Sequence, residues 1–271
     1  MSDELLNATL VSRTDLNPEL AVFRVRPNSG PAPEFEPGQF IMIGLPPDPS
    51  EEPRGDAEGG DPKKPKLIKR AMSIASPATQ RDSLNFYIVL ITDGQLTPKL
   101  WKVPEGGKLW MDTAPKGKFT LKDVPPDKDL VMVGTGTGLA PYISMLHTYR
   151  NAPNRWRRFV IIHGVRYAPD LGYRAELEQM AKEDPRLVYI PLVTREPENS
   201  DYKGMRGRIY KAFEGDAYEK IVGAPLDPEQ CHVFLCGNPD MVKTMKSNLL
   251  ERGFKMPANK VPGNIHIEQY W

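Results

Sequence analysis

The chain has 271 residues, of which 39% are hydrophobic and 26% charged, enough for a sizeable core in one large or, as favoured here, two medium domains. With a formal net charge of +1, overall charge makes no case for nucleic-acid or membrane partners. The two cysteines, Cys231 and Cys236, are too few for a disulfide framework or a Cys-ligated iron–sulfur cluster within the chain. No apolar run approaches the ~20 residues of a membrane span, and Met1–Asp15 is too polar for a signal peptide, so a reducing cytoplasm is the expected compartment.

From the N-terminus the pattern is of short β-type segments: Leu5–Val11, Ala21–Arg26, Gln39–Leu45, Ile68–Ser76, Leu84–Ile91, Lys108–Asp112 and Lys118–Leu121. In AVFRVR, Phe23 and Val25 alternate with Arg24 and Arg26, as in a half-buried antiparallel strand. About six such strands predict a closed or nearly closed antiparallel β-barrel. Between Pro46 and Lys66, PPDPSEEPRGDAEGGDPKKPK offers almost nothing to bury. It reads as a long mobile loop of the barrel, because strands resume on both sides. Pro125 and Pro126 mark the expected boundary between domains 1–126 and 127–271.

Asp129–Tyr149, DLVMVGTGTGLAPYISMLHTY, reads as strand, glycine loop and helix. Leu130–Val133 is short and wholly apolar, as in a parallel strand covered on both faces. Gly134, Gly136 and Gly138 let the backbone turn sharply and let another molecule approach its N–H groups. Pro141 suits a helix's first turn, and Tyr142, Met145 and Leu146 give that helix an apolar face. Such a helix start attracts phosphate. Leu139 stands where the standard dinucleotide fingerprint has its third glycine, and the Gly-Lys-Ser/Thr of a P-loop is absent, which argues against nucleotide hydrolysis. Taken alone, the loop is equally readable as a plain strand-to-helix turn.

Beyond it, strands at Arg158–Gly164, Leu187–Val193 and His232–Cys236 alternate with helices, one at Leu171–Lys182 and one capped by Asn238 with Pro239 in its first turn. Met241, Val242, Met245, Leu249 and Leu250 form the second helix's buried stripe, Gly253 ends it, and NIHIEQYW at 264–271 is a last strand. The alternation predicts a Rossmann-like α/β domain, a parallel sheet with helices on both faces.

Parallel α/β sheets bind ligands at the carboxyl ends of their strands. Arg166 follows FVIIHGV, Arg195 follows VYIPLVT, and Arg208 lies in MRGRI just beyond. Arginine there suits a 2′-phosphate rather than a free ribose hydroxyl, so the set favours NADP over NAD. In the first domain Arg70 could clamp a phosphate and Ser73 could hydrogen-bond a cofactor atom. Taken singly, Phe86–Val89 reads as core aromatics and Gly94–Pro98 as a turn opening a short helix.

In combination the chain resembles the ferredoxin–NADP reductase family, specifically the bacterial ferredoxin/flavodoxin reductases, from about Leu5 to Trp271. The likeness is carried by PGQF at Pro37–Phe40, RAMS at Arg70–Ser73, GTGTGLAP at Gly134–Pro141, CGNP at Cys236–Pro239 and EQYW at Glu268–Trp271. It implies an antiparallel FAD-binding barrel followed by an NADP-binding α/β domain. By that likeness Arg70, Ala71, Met72 and Ser73 flank the flavin and its pyrophosphate, and Tyr87, Ile88 and Val89 line it. Gln95, Leu96 and Thr97 cap the phosphates by backbone contacts, and Thr137 sits where the two cofactors meet. Arg166, Thr194, Arg195 and Arg208 hold the 2′-phosphate beside Val165. Gly136, Gly237, Asn238 and Pro239 hold the rest of the nucleotide, while Tyr270 and Trp271 cover the flavin ring or its adenine.

The implied reaction is hydride transfer between NADP(H) and FAD, with single electrons exchanged with ferredoxin or flavodoxin. Ser73, Cys236 and Glu268 are placed by the likeness near the nicotinamide and flavin N5 as orienting and polarising groups, although Cys236 reads equally as core packing and Glu268 as a surface carboxylate. Where the family has tyrosine, this chain has Met72, which keeps a polarizable contact but loses aromatic stacking and a hydroxyl. An acidic carrier would be received by Lys63, Lys64, Lys66, Lys69, Lys243 and Lys246, and a monomer is expected. A flavin or oxygenase-component reductase, or a non-enzymatic NADP-binding subunit, are the alternatives.

Overall fold

The computed structural model describes residues 5–48, 67–152, 156–258 and 261–269. The chain divides into two compact units, Met1–Lys118 and Phe119–Trp271. The division falls ahead of Pro125–Pro126 because Phe119 sets its ring against Tyr142 and Phe234 of the second unit, at 6.0 and 5.3 Å.

The first unit holds β1 (Ala8–Asn17), β2 (Leu20–Pro27), β3 (Phe40–Leu45), β4 (Ile68–Ser73), β5 (Leu84–Val89) and β6 (Lys108–Met111), with the short helix α1 (Thr97–Leu100) before β6. Their order is β4-β3-β6-β1-β2-β5, and every pairing is antiparallel. The two outer strands come together through an antiparallel bridge between Ile74 and Phe86 and the Ala75 N–H to Asn85 carbonyl bond of 2.8 Å. That junction rolls the six strands into the expected barrel around Leu10, Phe23, Val25, Ile41, Ile43, Leu84 and Phe86, all fully buried. Strand β1 starts later than expected and runs to Asn17, with irregular register between Leu10 and Ser12 and between Asp15 and Asn17. Those bulges break the alternation along VSRTDLN and so hid the strand's second half.

The strand expected at Lys118–Leu121 does not form. Lys116 is the last residue to pair, with Phe40, and Val124 N–H then closes on the Leu121 carbonyl at 3.1 Å, so the segment turns while burying Phe119 and Leu121. The loop expected at 46–66 lies, from residue 49 on, outside the described residues.

The second unit contains β7 (Asp129–Thr135), β8 (Arg158–Val165), β9 (Leu187–Val193), β10 (Met205–Arg206), β11 (Cys231–Cys236) and β12 (Ile265–Glu268) in a parallel sheet ordered β10-β9-β8-β7-β11-β12. The helices are α2 (Ala140–Tyr149), α3 (Arg174–Glu183), α4 (Ala217–Val222) and α5 (Pro239–Glu251). One sheet face presents Val131, Val133, Val160, Ile162, Val233 and Leu235 to Tyr218 and Val222 of α4 and Met241, Met245 and Leu249 of α5. The alternate residue Phe234 belongs to the other face, where Phe119 lies between it and Tyr142 of α2. Each fully buried aliphatic side chain contributes about 1.5–3 kcal/mol, which is why these strands read as unbroken apolar runs. Helix α3 begins later than Leu171: a 3-10 turn at Ala168–Asp170 comes first, Leu171 packs with Val165, Val193 and Tyr202, and Tyr173 enters the helix at φ 62°.

Candidate active site

The barrel's contribution centres on β4. Cross-strand register sets Arg70 opposite Ile43, Met72 opposite Ile41 and Ser73 opposite Phe40. The Arg70 guanidinium is exposed, donating to its neighbour's carbonyl at 2.9 Å and reaching the Gln95 side-chain oxygen at 3.4 Å. Arg70 is thereby brought beside the Gln95–Thr97 turn, from a stretch far away in sequence. Thr97 Oγ1 accepts from Ile91 N–H at 2.9 Å and donates to the Ile91 carbonyl at 3.2 Å, so this side chain holds the turn, while the Leu96 and Thr97 carbonyls accept the first bonds of α1. Ile88 and Leu96 likewise turn their side chains into the barrel core. Along β5, Tyr87 and Val89 alternate with that inward set and lie on the other side of the strand. Met72 packs against the edge of the core, half-buried, beside half-buried Ala71 and Ser73.

In the second unit the site is the carboxyl edge of the sheet, and the three glycines after β7 have three different jobs. A side-chain carbon at Gly134 would lie 3.0 Å from the Tyr142 ring; at Gly138 it would lie 2.5 Å from the Cys236 carbonyl oxygen and 2.7 Å from its carbon. These two admit other parts of the same chain. Gly136 alone has φ +54° with no atom within 4 Å of its missing side chain, so it is the glycine that leaves room for another molecule.

The loop after β11 is fastened to the loop after β7. Gly237, at φ +125°, brings the next peptide close enough for Asn238 N–H to donate to Thr135 Oγ1 at 2.7 Å. Asn238 Oδ1 accepts from Asp240 and Met241 N–H at 3.0 and 3.1 Å, capping α5 as expected, with Pro239 in the first turn. Its side chain is therefore engaged in the cap. Below the loop, fully buried His163 meets the Gly136 carbonyl through Nε2 at 3.0 Å and the Tyr189 hydroxyl through Nδ1 at 3.4 Å. Burial pushes its pKa down to about 4, against the opposing effect of the Gly136 bond, so the ring is neutral.

Cys236 and Glu268 are register partners at the ends of β11 and β12, both buried. Burial first, and the neighbouring carboxylate second, hold the Cys236 thiol well above its ordinary pKa. A neutral, buried thiol is no nucleophile; it suits a packing and polarising role. Ser73 belongs to the barrel unit, half-buried on β4.

Toward the opposite edge, Val165 and Val193 are register partners and the Thr194 N–H and hydroxyl both donate to the Val165 carbonyl, at 3.0 and 3.2 Å. Arg195 N–H donates to the Arg166 carbonyl at 2.8 Å. Arg166, Arg195 and Arg208 are all exposed, and none of their guanidinium groups forms a hydrogen bond or ion pair among the described residues. Arg206 behaves oppositely. It donates to the carbonyls of Glu196, Pro197 and Tyr202 and to Ser200 Oγ at 2.7–3.1 Å, and so holds the 196–202 loop.

The oxidoreductase NAD-binding domain family matches residues 132–247, the part that carries this edge. A flavodoxin/ferredoxin–NADP reductase of Buchnera aphidicola is 34% identical over 90% of both chains, and a ferredoxin–NADP reductase of Pseudomonas aeruginosa 31% identical over 92% of this chain and 91% of its own. The chain belongs to the ferredoxin/flavodoxin–NADP reductase family. Among solved structures, a ferredoxin NADP+ reductase from Neisseria gonorrhoeae with bound FAD and NADP superposes with a TM-score of 0.81 at 28% identity, covering 97% of this chain and 98% of that one.

For a reductase of this family, Tyr270, Trp271, Lys63, Lys64 and Lys66 fall outside the described residues. Lys69 sets its ammonium 3.8 Å from the Trp110 ring centroid, while Lys243 is exposed and Lys246 half-buried on α5. Sequence reasoning missed Thr135, His163 and Arg206. A histidine inside the apolar run FVIIHGV was the one signal available for any of them. No helix of the described residues is long and apolar enough to cross a membrane.

Proposed function

We propose that the chain binds FAD on the barrel unit and NADP(H) on the carboxyl edge of the α/β unit, and works as a cytoplasmic, monomeric NADPH-dependent reductase of ferredoxin or flavodoxin. The observation that carries the nucleotide half is three exposed guanidinium groups, Arg166, Arg195 and Arg208, without partners among the described residues and gathered at neighbouring strand ends. Arginine presents a planar fork of donors that matches a phosphate, and three exposed forks after neighbouring strands suit an anion. The flavin half is supported by the Arg70 guanidinium beside the Gln95–Thr97 turn, in which Leu96 faces the core and the Thr97 hydroxyl is held by Ile91, so that the cap to a phosphate would come from backbone N–H groups.

The chemistry supplied by the bound flavin is acceptance of a hydride from NADPH and release of electrons singly to the carrier protein. The chain's residues orient and exclude water. Gly136 gives the nucleotide backbone room, Arg195 and Arg208 anchor its 2′-phosphate, and Thr137 lies in the same glycine loop. Cys236 and Glu268 supply a buried, weakly polar floor on the α/β unit, and Ser73 a hydroxyl donor on the barrel unit. Met72 offers the flavin a thioether in place of an aromatic face.

Purified protein should be yellow, should bleach on anaerobic addition of NADPH, and should reduce cytochrome c only when ferredoxin or flavodoxin is added. Colourless protein, or yellow protein that NADPH does not bleach, refutes the reductase reading; equal turnover with free FMN and no carrier would refute the carrier assignment. Sedimentation of the FAD-loaded protein as a dimer would refute the monomer.

A further inference from the structure

We infer that His163 is a positioning residue of the nucleotide site: it fixes the Gly136–Thr137 peptide so that the Thr137 N–H faces the bound NADP(H). The inference rests on the nucleotide reading above and adds to it a residue that no ligand touches.

A carbonyl is an acceptor only, so the 3.0 Å contact requires the His163 proton on Nε2. Nδ1 is then an acceptor, and the Tyr189 hydroxyl at 3.4 Å is the donor facing it. One proton arrangement satisfies the chain Tyr189–His163–Gly136, which crosses three adjacent strands, β9, β8 and the end of β7. The ring is fully buried and its strand partners are Gly134 and Pro191, so it has little room to turn.

In a trans peptide the carbonyl of one residue and the N–H of the next point in opposite directions. With the Gly136 carbonyl drawn down to His163, the Thr137 N–H is turned up, away from the sheet. Thr137 belongs to the first residues of the 3-10 turn Gly136–Leu139, whose N–H groups find no partner inside the turn. The Gly136 carbonyl also belongs to the short 3-10 turn Gly136–Leu139, and Gly136, at φ +54°, has open space where a side chain would stand, so the imidazole is a second, buried anchor for a peptide otherwise held only by one short turn. A glycine in the left-handed region gives its peptide unusual freedom; the buried imidazole restrains that freedom further. Preorganisation of this kind strengthens binding by lowering the ordering cost of the bound state.

The test uses FAD-loaded full chain and calorimetric titration with two probes, NADP+ and adenosine 2′-phosphate. The second carries the anchor for Arg195 and Arg208 but has no phosphate to meet Thr137. His163→Leu is expected to weaken NADP+ on the order of tenfold, the effect of one oriented hydrogen bond, and to leave adenosine 2′-phosphate unchanged. His163→Gln, whose amide can still donate to the Gly136 carbonyl, is expected to recover most of the loss. If His163→Leu does not fold, Tyr189→Phe, which removes only the hydroxyl behind the imidazole, should weaken NADP+ in the same selective way by a smaller factor. Unchanged NADP+ affinity in these variants, or equal weakening of both probes, overturns the positioning role. Wild-type protein that binds neither probe overturns the nucleotide reading itself.

Discussion

Arg195, Arg206 and Arg208 are three arginines in one short region with opposite expected phenotypes. The Arg195 and Arg208 side chains are exposed and form no hydrogen bond or ion pair among the described residues. Replacing them by alanine should therefore change folding stability by no more than about 0.5 kcal/mol. Each should cost NADPH binding about 1.5 kcal/mol, the lower end for a hydrogen bond to a charged group because water screens the site. That is roughly tenfold each and about a hundredfold for the pair. NADH, lacking the 2′-phosphate, should be used almost as before. Arg206→Ala removes donation to four loop acceptors and the contact with the Tyr202 ring at 5.7 Å. It should destabilise the unit by about 2 kcal/mol and depress use of NADPH and NADH together. The assay is kcat/KM for both nucleotides with ferricyanide as acceptor, beside thermal unfolding of each variant. Arg195→Ala and Arg208→Ala proteins that lose NADPH and NADH activity alike, or unfold at lower temperature, would refute the assignment of these side chains to phosphate.

Other consequences follow from groups the structure buries. Gly138→Ala places a methyl 2.5 Å from the Cys236 carbonyl oxygen, where only backbone can yield; unfolding should become easier by on the order of 1–3 kcal/mol, read from denaturant midpoints. Cys236 should resist a thiol reagent at pH 8 in the native protein and react once it is unfolded, because burial holds the thiol neutral. His266 stacks on Phe234 at 4.2 Å, and burial, then His232, lowers its pKa to about 4. The unfolded chain takes up that proton near pH 6.5 and the native protein does not, so stability is full at neutral pH and falls on acidification from about 6.5 to 4, by about 1.4 kcal/mol per pH unit. His266→Phe should take about 1.4 kcal/mol per pH unit off the fall across that window, while buried His163, its pKa also near 4, keeps a similar share in place; an unchanged slope would show that His266 is protonated in the fold. Met72→Tyr restores an aromatic face at the proposed flavin site and should tighten FAD by a factor of up to about ten, the range of 0.5–1.5 kcal/mol for ring stacking, measured by fluorescence on adding FAD to stripped protein.

The strands were legible because their two patterns differ. Alternation such as Phe23 and Val25 against Arg24 and Arg26 marks a sheet with one wet face, whereas LVMV and FVIIHGV, apolar but for His163, mark strands covered on both sides. What escaped was structure fixed by register rather than composition. Strand β10 is only Met205–Arg206, paired to Leu192 and Val193, too short for any periodicity to appear. Helix α4 and the 3-10 turn at Ile209–Phe213 were not anticipated either, being short elements whose apolar residues Ala212, Phe213, Tyr218 and Val222 find their meaning only against the sheet. Within the site, Arg206 and Arg208 are the same letter two positions apart, and only the carbonyls around one of them tell the loop clamp from the free fork.

The glycine loop shows why a motif can be right about location and incomplete about cause. GTGTG was read as backbone opened for a ligand, yet Gly134 and Gly138 are required by Tyr142 and by the Cys236–Gly237 backbone, leaving Gly136 for a guest. The closeness of Gly138 to Cys236 and the Asn238-to-Thr135 bond lock the loops after β7 and β11 together. From that lock to the exposed arginine after β9 is two strand spacings counted from β7 and three from β11, about 10–14 Å. A dinucleotide stretched along the edge would therefore meet two electrostatic regimes. On the proposed reading its phosphate end would lie among the solvated guanidinium groups, and affinity and the choice of NADPH would be decided there by charge. Its other end would reach Cys236 and Glu268, which are buried, so that a single dipole or carboxylate there would act far more strongly than in solvent. Specificity and chemistry would then be separated along one line of strand ends, and the expected outcome is that substitutions at the arginines move KM for the nucleotide while substitutions at Cys236 or Glu268 move kcat.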